Sequence, residues 1–194
     1  TRVLKVSYAG EKGFEIHVNN GSMKKIYDEL VQHGENFNLI HFGMLALDSM
    51  RLEKNYRSWK SDLTSDYTML QSGLEKWIKF DKGNFIGKEA LKNEFDLGTS
   101  KKFVTLVVDD PEDNKPFGEP VYLSPVFAGD DYLGPIVSSG YGHRVKKSIS
   151  MAILDDRNLN GLNDQLYIDV LGRKRKAYIV NEALYDPENL KLRS

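Results

Sequence analysis

From Phe103 to Asn181 the chain shows no helical periodicity, which restricts its second half to a β architecture. Phe103–Asp109, Pro120–Leu123, Leu133–Ser138, Ser148–Leu154, Gln165–Val170 and Lys174–Asn181 read as six short strands separated by turn residues. Strands of that length and spacing, with no helices between them, predict a small barrel or sandwich. The clearest pair is Y-I-D-V-L-G-R-K-R-K-A-Y-I-V, turning near Gly172. Its basic run, Arg173 to Lys176, reads as solvated edge protection rather than a nucleic-acid patch. The doublets Asp109-Asp110, Asp130-Asp131 and Asp155-Asp156 read as turn formers.

The first half is different. Val6 to Val18, V-S-Y-A-G-E-K-G-F-E-I-H-V, predicts a hairpin whose Gly10 and Gly13 suit the reversal. Period two places Glu15 and His17 on one face and Phe14, Ile16 and Val18 on the other, which is expected to cover a core. Ser22 is an N-cap candidate for a helix to about Gln32, stopped by Gly34, and the sequon Asn20-Gly21-Ser22 is read as capping chemistry. Asn38 to Phe42 is a short strand candidate. Gly43 opens a second helix, M-L-A-L-D-S-M-R-L-E-K, in which Arg51 reads as a surface end-cap suited to the helix dipole. Asn55 to Met69 has no regular pattern but carries Tyr56, Trp59 and Tyr67, and such loops are functional or packed down. The segment after Gly73, to Phe80, is strand-like, and a third helix runs from Phe85 to about Phe95. Leu97 to Lys102 is small and polar, the best boundary between two regions.

Composition excludes several function classes. The 194 residues carry 27 Lys plus Arg against 28 Asp plus Glu, a net charge of −1, so neither a nucleic-acid nor a membrane-surface partner is implied. No apolar run reaches bilayer length. The absence of cysteine removes disulfides, thiol nucleophiles and thiolate metal sites, and fits a reducing compartment. His17, His33, His41 and His143 show no metal-ligand spacing, and no nucleophile elbow, P-loop or dinucleotide fingerprint occurs. The chain begins at Thr1 in a strand-like run, which reads as a piece whose N-terminal part lies elsewhere; a cleaved leader would leave the same mark. From the residues alone, the expectation is an α+β region followed by an all-β region.

Several segments resemble one family. Tyr8-Ala9-Gly10-Glu11-Lys12-Gly13-Phe14-Glu15 is similar to the Y-T-G-E-x-G-x-E segment of the glycine-cleavage T-protein (aminomethyltransferase) superfamily. Arg51-Leu52-Glu53 resembles its R-L-E helix end. Phe85 to Leu91, F-I-G-K-E-A-L, and Gly134 to Met151 resemble its later motifs. Arg51 to Trp59, R-L-E-K-N-Y-R-S-W, and the ending Leu184-Tyr185-Asp186-Pro187 with Leu192-Arg193 resemble the folate-binding tail of dimethylglycine and sarcosine dehydrogenases and oxidases. The resemblance covers essentially the whole chain.

It implies an α+β fold: residues 1–97 as the C-terminal half of a folate-binding domain, 103–185 as a six-stranded antiparallel barrel, and 186–194 as a tail. It implies tetrahydrofolate as cofactor, with a one-carbon unit passed from an N-methyl or aminomethyl amine to give 5,10-methylenetetrahydrofolate. FAD would belong to the absent part of a dehydrogenase-type parent. Glu15 matches the carboxylate that accepts from the pterin N3–H and NH₂ together, the strong bidentate class of hydrogen bond. Tyr8 matches a ring packed near the pterin, and Arg51 a cation contacting folate or steering the pocket carboxylate. His17, on the face of Glu15, is a second contact. Lys76 stands where the family has an aromatic residue, with Trp77 one place on; a one-residue shift restores the aromatic, or Lys76 meets the folate's glutamate tail.

The family's catalytic Asp lies in the half that this chain lacks, so no catalytic residue is expected here and the piece alone is expected to be inactive. The expected partners are folate, a methylated amine and the rest of the parent chain, with self-association left open. The compartment is cytoplasmic, or the mitochondrial matrix in a eukaryote. The alternatives are a stand-alone T-protein, a non-enzymatic folate-binding protein of the same fold, and a plain structural interaction domain.

Overall fold

A computed structural model describes residues 1–109, 119–156, 159 and 166–194. Asp110 and Gln165, which belong to a turn and a strand expected from the sequence, lie outside the described residues. The expected barrel is present. Strands β3 (Lys101–Val108), β4 (Pro125–Ala128), β5 (Asp131–Gly142), β6 (Lys147–Asp155), β7 (Leu166–Val170) and β8 (Arg173–Val180) close in the order β3-β6-β5-β4-β7-β8. Every neighbouring pair is antiparallel. Closure leaves no unpaired strand edge, which is how a sheet this small satisfies its backbone.

Period two fills the interior. Val104, Leu106 and Val108 of β3 meet Val126, Ile136, Leu154, Ile168 and Val170 in one buried cluster. Strand β6 is buried on both faces: Ala152 and Leu154 join that cluster, while Ile149, Met151 and Ile153 pack with Phe103 and with Leu52 outside the barrel. A strand covered on both sides reads as the near-continuous run S-I-S-M-A-I-L. Gly134, at φ +154°, lets β5 approach β6 closely: a Cβ there would lie 2.2 Å from the Ile153 carbonyl oxygen.

The strand expected over Pro120–Leu123 is instead a turn. Leu123 takes φ +68°, and Ser124 closes the loop by donating its N–H to the Val121 carbonyl (2.9 Å) and accepting the Val121 N–H on Oγ (3.0 Å). The strand of this region begins at Pro125.

Residues 1–97 hold α1 (Asn20–Gly34), α2 (Met44–Glu53) and α3 (Lys88–Leu97), with a small pair of strands, β1 (Arg2–Leu4) and β2 (Glu15–His17). The hairpin therefore pairs a different first strand from the one expected: Leu4 sits opposite Glu15, and Arg2 opposite His17. Val6 to Phe14 leave the ladder because Tyr8 is tied elsewhere, its hydroxyl donating to the Arg57 carbonyl at 3.0 Å. The apolar face of β2 covers no core among the described residues, since Phe14 and Ile16 are exposed.

Helix α1 starts two residues before Ser22, with Asn19 as its N-cap residue. Asn38 to Phe42 is not a strand: Asn38, in the left-handed region at φ +55°, ends a 3₁₀ turn there. The strand expected after Gly73 is a 3₁₀ turn over Glu75–Trp77, closed by Trp77 N–H to the Leu74 carbonyl (2.9 Å) and Ile78 N–H to that of Glu75 (3.0 Å). A short tail helix, α4 (Leu190–Arg193), ends the chain. Among the described residues no helix is long and apolar enough to cross a membrane.

Candidate functional site

The last turn of α2 and the residue after it, Arg51-Leu52-Glu53-Lys54, are all buried, and each side chain fastens a different part of the molecule. Leu52 packs on the outer face of β6. Glu53 Oε1 accepts the backbone N–H groups of Arg144 (2.7 Å) and Val145 (3.2 Å), fixing the β5–β6 turn. Lys54 Nζ donates to the Asp186 carbonyl (2.6 Å), to Asp186 Oδ2 (3.2 Å) and to Asn189 Oδ1 (2.8 Å), holding the C-terminal tail. The Tyr185 N–H donates to the Glu53 carbonyl at 3.0 Å in the same junction. Gly10 closes against Lys54 at φ +81°, and a Cβ there would lie 2.1 Å from Lys54 Cγ.

Arg51 is no surface end-cap: it is 2% exposed. Its Nε donates to Asp48 (2.6 Å), and one terminal nitrogen donates to Asp62 (2.6 Å) and to the Tyr56 carbonyl (3.1 Å). The other terminal nitrogen donates to Ser138 Oγ (2.8 Å) on β5. Asp62 is wholly buried; it also accepts the Ser58 N–H at 2.6 Å and the Ser138 hydroxyl. A buried pair is tolerated when further hydrogen bonds satisfy both partners, as here. This network gives the Asn55–Met69 segment its shape without regular structure. Two of its three aromatics are engaged, Tyr56 stacked on Tyr8 at 6.2 Å and Tyr67 against the Leu52 cluster, while Trp59 is exposed.

Two cavities meet beside this frame. One, of about 650 Å³, is lined by Tyr8, Tyr56, Lys76 and Trp77, and by tail residues including Pro187 and Asn189. The other, of about 720 Å³, lies between the 3₁₀ turn, α3 and strands β3 and β8. Burial holds the Tyr8 phenol above its ordinary pKa, with the positive charge of Arg51 opposing the shift, so Tyr8 is a neutral donor at neutral pH.

Of the residues singled out in the sequence, Tyr8 and Lys76 both line the smaller cavity; Arg51 does not line it but donates to the carbonyl of Tyr56, which does. Lys76 Nζ lies 5.3 Å from the Trp77 ring centroid, so the two occupy adjacent places on one turn. Glu15 and His17 line neither of these cavities. They share a solvent-facing side of β2, with His17 Nε2 3.3 Å from Glu15 Oε2. Sequence reasoning missed Lys54, Asn55, Arg57 and Asp62. The R-L-E-K and Y-D-P segments were both visible, but nothing in the pattern joined Lys54 to Asp186. Among the described residues no cluster of three or more His, Asp or Glu groups suits a metal ion.

Residues 1–82 match the family model described as the GCVT N-terminal domain, and residues 101–186 match the glycine cleavage T-protein C-terminal barrel domain. The chain is 30% identical over 183 residues to an aminomethyltransferase of Thermoanaerobacter sp. (strain X514), covering 94% of this chain and 48% of that protein. It is 30% identical over 186 residues to the mitochondrial dimethylglycine dehydrogenase of Homo sapiens, covering 93% of this chain and 20% of that protein. The structure of glycine cleavage system aminomethyltransferase T from Bartonella henselae superposes with a TM-score of 0.80 at 20% identity, over 95% of this chain and 50% of that one, and shares its fold. The chain thus spans about half the length of the aminomethyltransferases it matches and a fifth of the dehydrogenase.

Proposed function

The chain belongs to the glycine cleavage T-protein family, and on that premise we propose that it is the tetrahydrofolate-binding part of an enzyme that moves a one-carbon unit from an N-methyl or aminomethyl amine. On this proposal residues 1–97 complete a folate-binding domain, 103–185 form the barrel, and a tail follows from 186. The observation that carries it is the meeting of Tyr8 and Lys76 in one cleft beside the Arg51–Asp62 frame.

Tetrahydrofolate, when bound, supplies the nitrogens that take up the one-carbon unit. Glu15 fits the pterin edge chemically: it is an exposed carboxylate whose only close ionic neighbour among the described residues is His17, so it is free to accept two N–H bonds at once. Tyr8 offers a ring to the ligand, Lys76 and Trp77 line the same cleft, and Arg51 acts through Asp62 and Tyr56 as a positioning residue. The exposed setting of Glu15 and His17 requires a further wall, which the reading assigns to the rest of the parent chain.

That remainder is also assigned the acid catalyst, so the 194-residue chain alone is expected to form no 5,10-methylenetetrahydrofolate. A dimethylglycine- or sarcosine-type parent, with FAD in its upstream part, is favoured over a stand-alone T-protein by the Lys54–Asp186 pair. That pair joins the two segments whose sequence resembles the dehydrogenase type. The compartment on this reading is the cytoplasm, or the mitochondrial matrix in a eukaryote. A non-enzymatic folate-binding protein is the reading that survives if the parent lacks the acid.

The test is calorimetric titration with tetrahydrofolate under anaerobic conditions, for the chain and for Glu15→Gln. The substitution removes a charge-assisted acceptor and is expected to weaken binding about 10- to 150-fold. An unchanged affinity removes Glu15 from the site.

A further inference from the structure

Arg57 is a half-buried cation whose charge is only partly compensated. Its Nε is enclosed and has no hydrogen-bond partner, and among the described residues no ion pair includes it. One terminal nitrogen donates to the Gly73 carbonyl at 3.1 Å. The guanidinium carbon sits 4.3 Å from the centroid of the Phe103 ring, so one face of the group is stacked and its polar edge is only partly used. Loss of water lowers its pKa, and the charges of Glu75 and Asp62 oppose that shift without cancelling it. A guanidinium in such a place stays charged, and an under-satisfied desolvated charge is costly unless something pairs with it.

The location gives that deficit a meaning. Arg57 lines both cavities, and with Asn55, Lys76 and Asn181 it is one of four residues the two have in common. The acidic groups around them are Glu75 and Asp156 in the larger cavity and Glu182 and Glu188 in the smaller. Cations outnumber them in both linings, Lys76 and Lys102 adding to Arg57 in the larger and Lys54 and Lys76 in the smaller, so an anion is favoured there. A planar guanidinium also matches a carboxylate with two parallel N–H bonds.

We propose that Arg57, at the junction of the two cavities, is the binding site for a carboxylate group of the ligand, with the amide side chains of Asn55 and Asn181 beside it. Two ligands consistent with the proposed function carry such a group: the glutamate portion of a folate, and a free N-methylated amino acid. The inference rests on that function only for the choice between them.

The experiment is calorimetric titration of the intact chain with p-aminobenzoyl-L-glutamate and with N,N-dimethylglycine, each against its carboxylate-free counterpart, p-aminobenzoyl-L-glutamic acid diamide and N,N-dimethylglycinamide. The expected result is that at least one carboxylate binds, that its counterpart binds about 10- to 150-fold more weakly, and that the carboxylate that binds identifies the source. This comparison needs no variant to fold. Arg57→Met is then expected to abolish the preference and Arg57→Lys to restore part of it. Binding of neither carboxylate, equal binding of the counterparts, or a preference intact in Arg57→Met overturns the proposal.

A carboxylate-free pterin, 6,7-dimethyltetrahydropterin, separates the two readings. If it binds while no carboxylate preference is seen, the Arg57 site falls and the pterin site stands. A carboxylate preference without pterin binding gives the reverse.

Discussion

The barrel and the segment before it are built from similar proportions of apolar residues but bury them very differently. Strands β3 to β8 enclose their own core: Leu106, Ile136, Leu154 and Ile168 are wholly inaccessible. In the first 97 residues, α1 and α3 contain no buried residue, and Phe14, Met23, Phe37, Ile40, Phe42 and Leu45 are exposed. Exposed apolar surface on that scale marks an interaction surface. The part of the first region that is buried is the part that touches the barrel, the end of α2 and the loop after it. Burial therefore follows contact with the barrel, and the remaining faces of α1, α3 and β2 are exposed among the described residues.

The most damaging way to break this arrangement is at the joint. Arg51 links Asp62 of the first region to Ser138 of the barrel. Arg51→Met leaves the wholly buried Asp62 charged and unpaired, and removal of one partner from a buried pair costs about 3–5 kcal/mol. Urea unfolding is expected to show that loss, with amide resonances of Asn55–Met69 losing dispersion before those of β3 and β6. A loss below about 1 kcal/mol, the range of an exposed pair, would mean that the network is a surface feature.

The contrast between the two regions is sharpened by truncating equivalent side chains. Leu106→Ala, in the barrel core, is expected to cost about 2–5 kcal/mol through lost transfer energy and a cavity. Leu45→Ala, at a side chain 89% exposed, is expected to fall within about 0.5 kcal/mol of the parent. Comparable losses at both sites would show that the first region is covered in solution, by a second copy or another chain, and sedimentation of the two variants would distinguish these.

The same division explains what was legible in the sequence. The barrel was readable because its strands alternate and its turns carry Gly and Asp; five of the six expected strands overlap real ones, and the miss, Pro120–Leu123, is an apolar turn fixed by Ser124. Helix α2 was readable from its spacing, but the fate of Arg51 was not, because its partners Asp62 and Ser138 lie 11 and 87 residues away. Apolar alternation in β2 signalled a covered face that the described residues do not supply. The shared face of Glu15 and His17 followed from strand period alone. The Tyr8–Lys76 meeting did not, since it depends on a 3₁₀ turn where a strand was expected.

The smallest effect expected is at the tail, which Lys54 holds at the end of α2. Asp186 takes φ +45° and accepts from Lys54 and from the backbone N–H groups of Leu190 (2.8 Å) and Lys191 (3.2 Å). Loss of solvent raises its pKa, but the N–H of Lys191, the Lys54 ammonium and the N–H of Leu190 outweigh it, and the net shift is downward from the ordinary 3.8. A carboxyl with a depressed folded pKa stabilises the attached tail above its unfolded pKa, and that contribution is lost as pH falls through the folded value. The tail is therefore expected to stay docked at pH 5 and to loosen only below the ordinary carboxylate range. The Leu190 and Lys191 amide resonances are expected to follow a midpoint under 3.8. In Lys54→Met the two remaining N–H donors keep α4 formed, and the midpoint moves up toward the ordinary value while the barrel resonances stay in place. A midpoint at or above 3.8 in the parent, or one that Lys54→Met leaves unmoved, would separate the tail from Lys54 and leave the cleft wall at Pro187 and Asn189 held by some other contact.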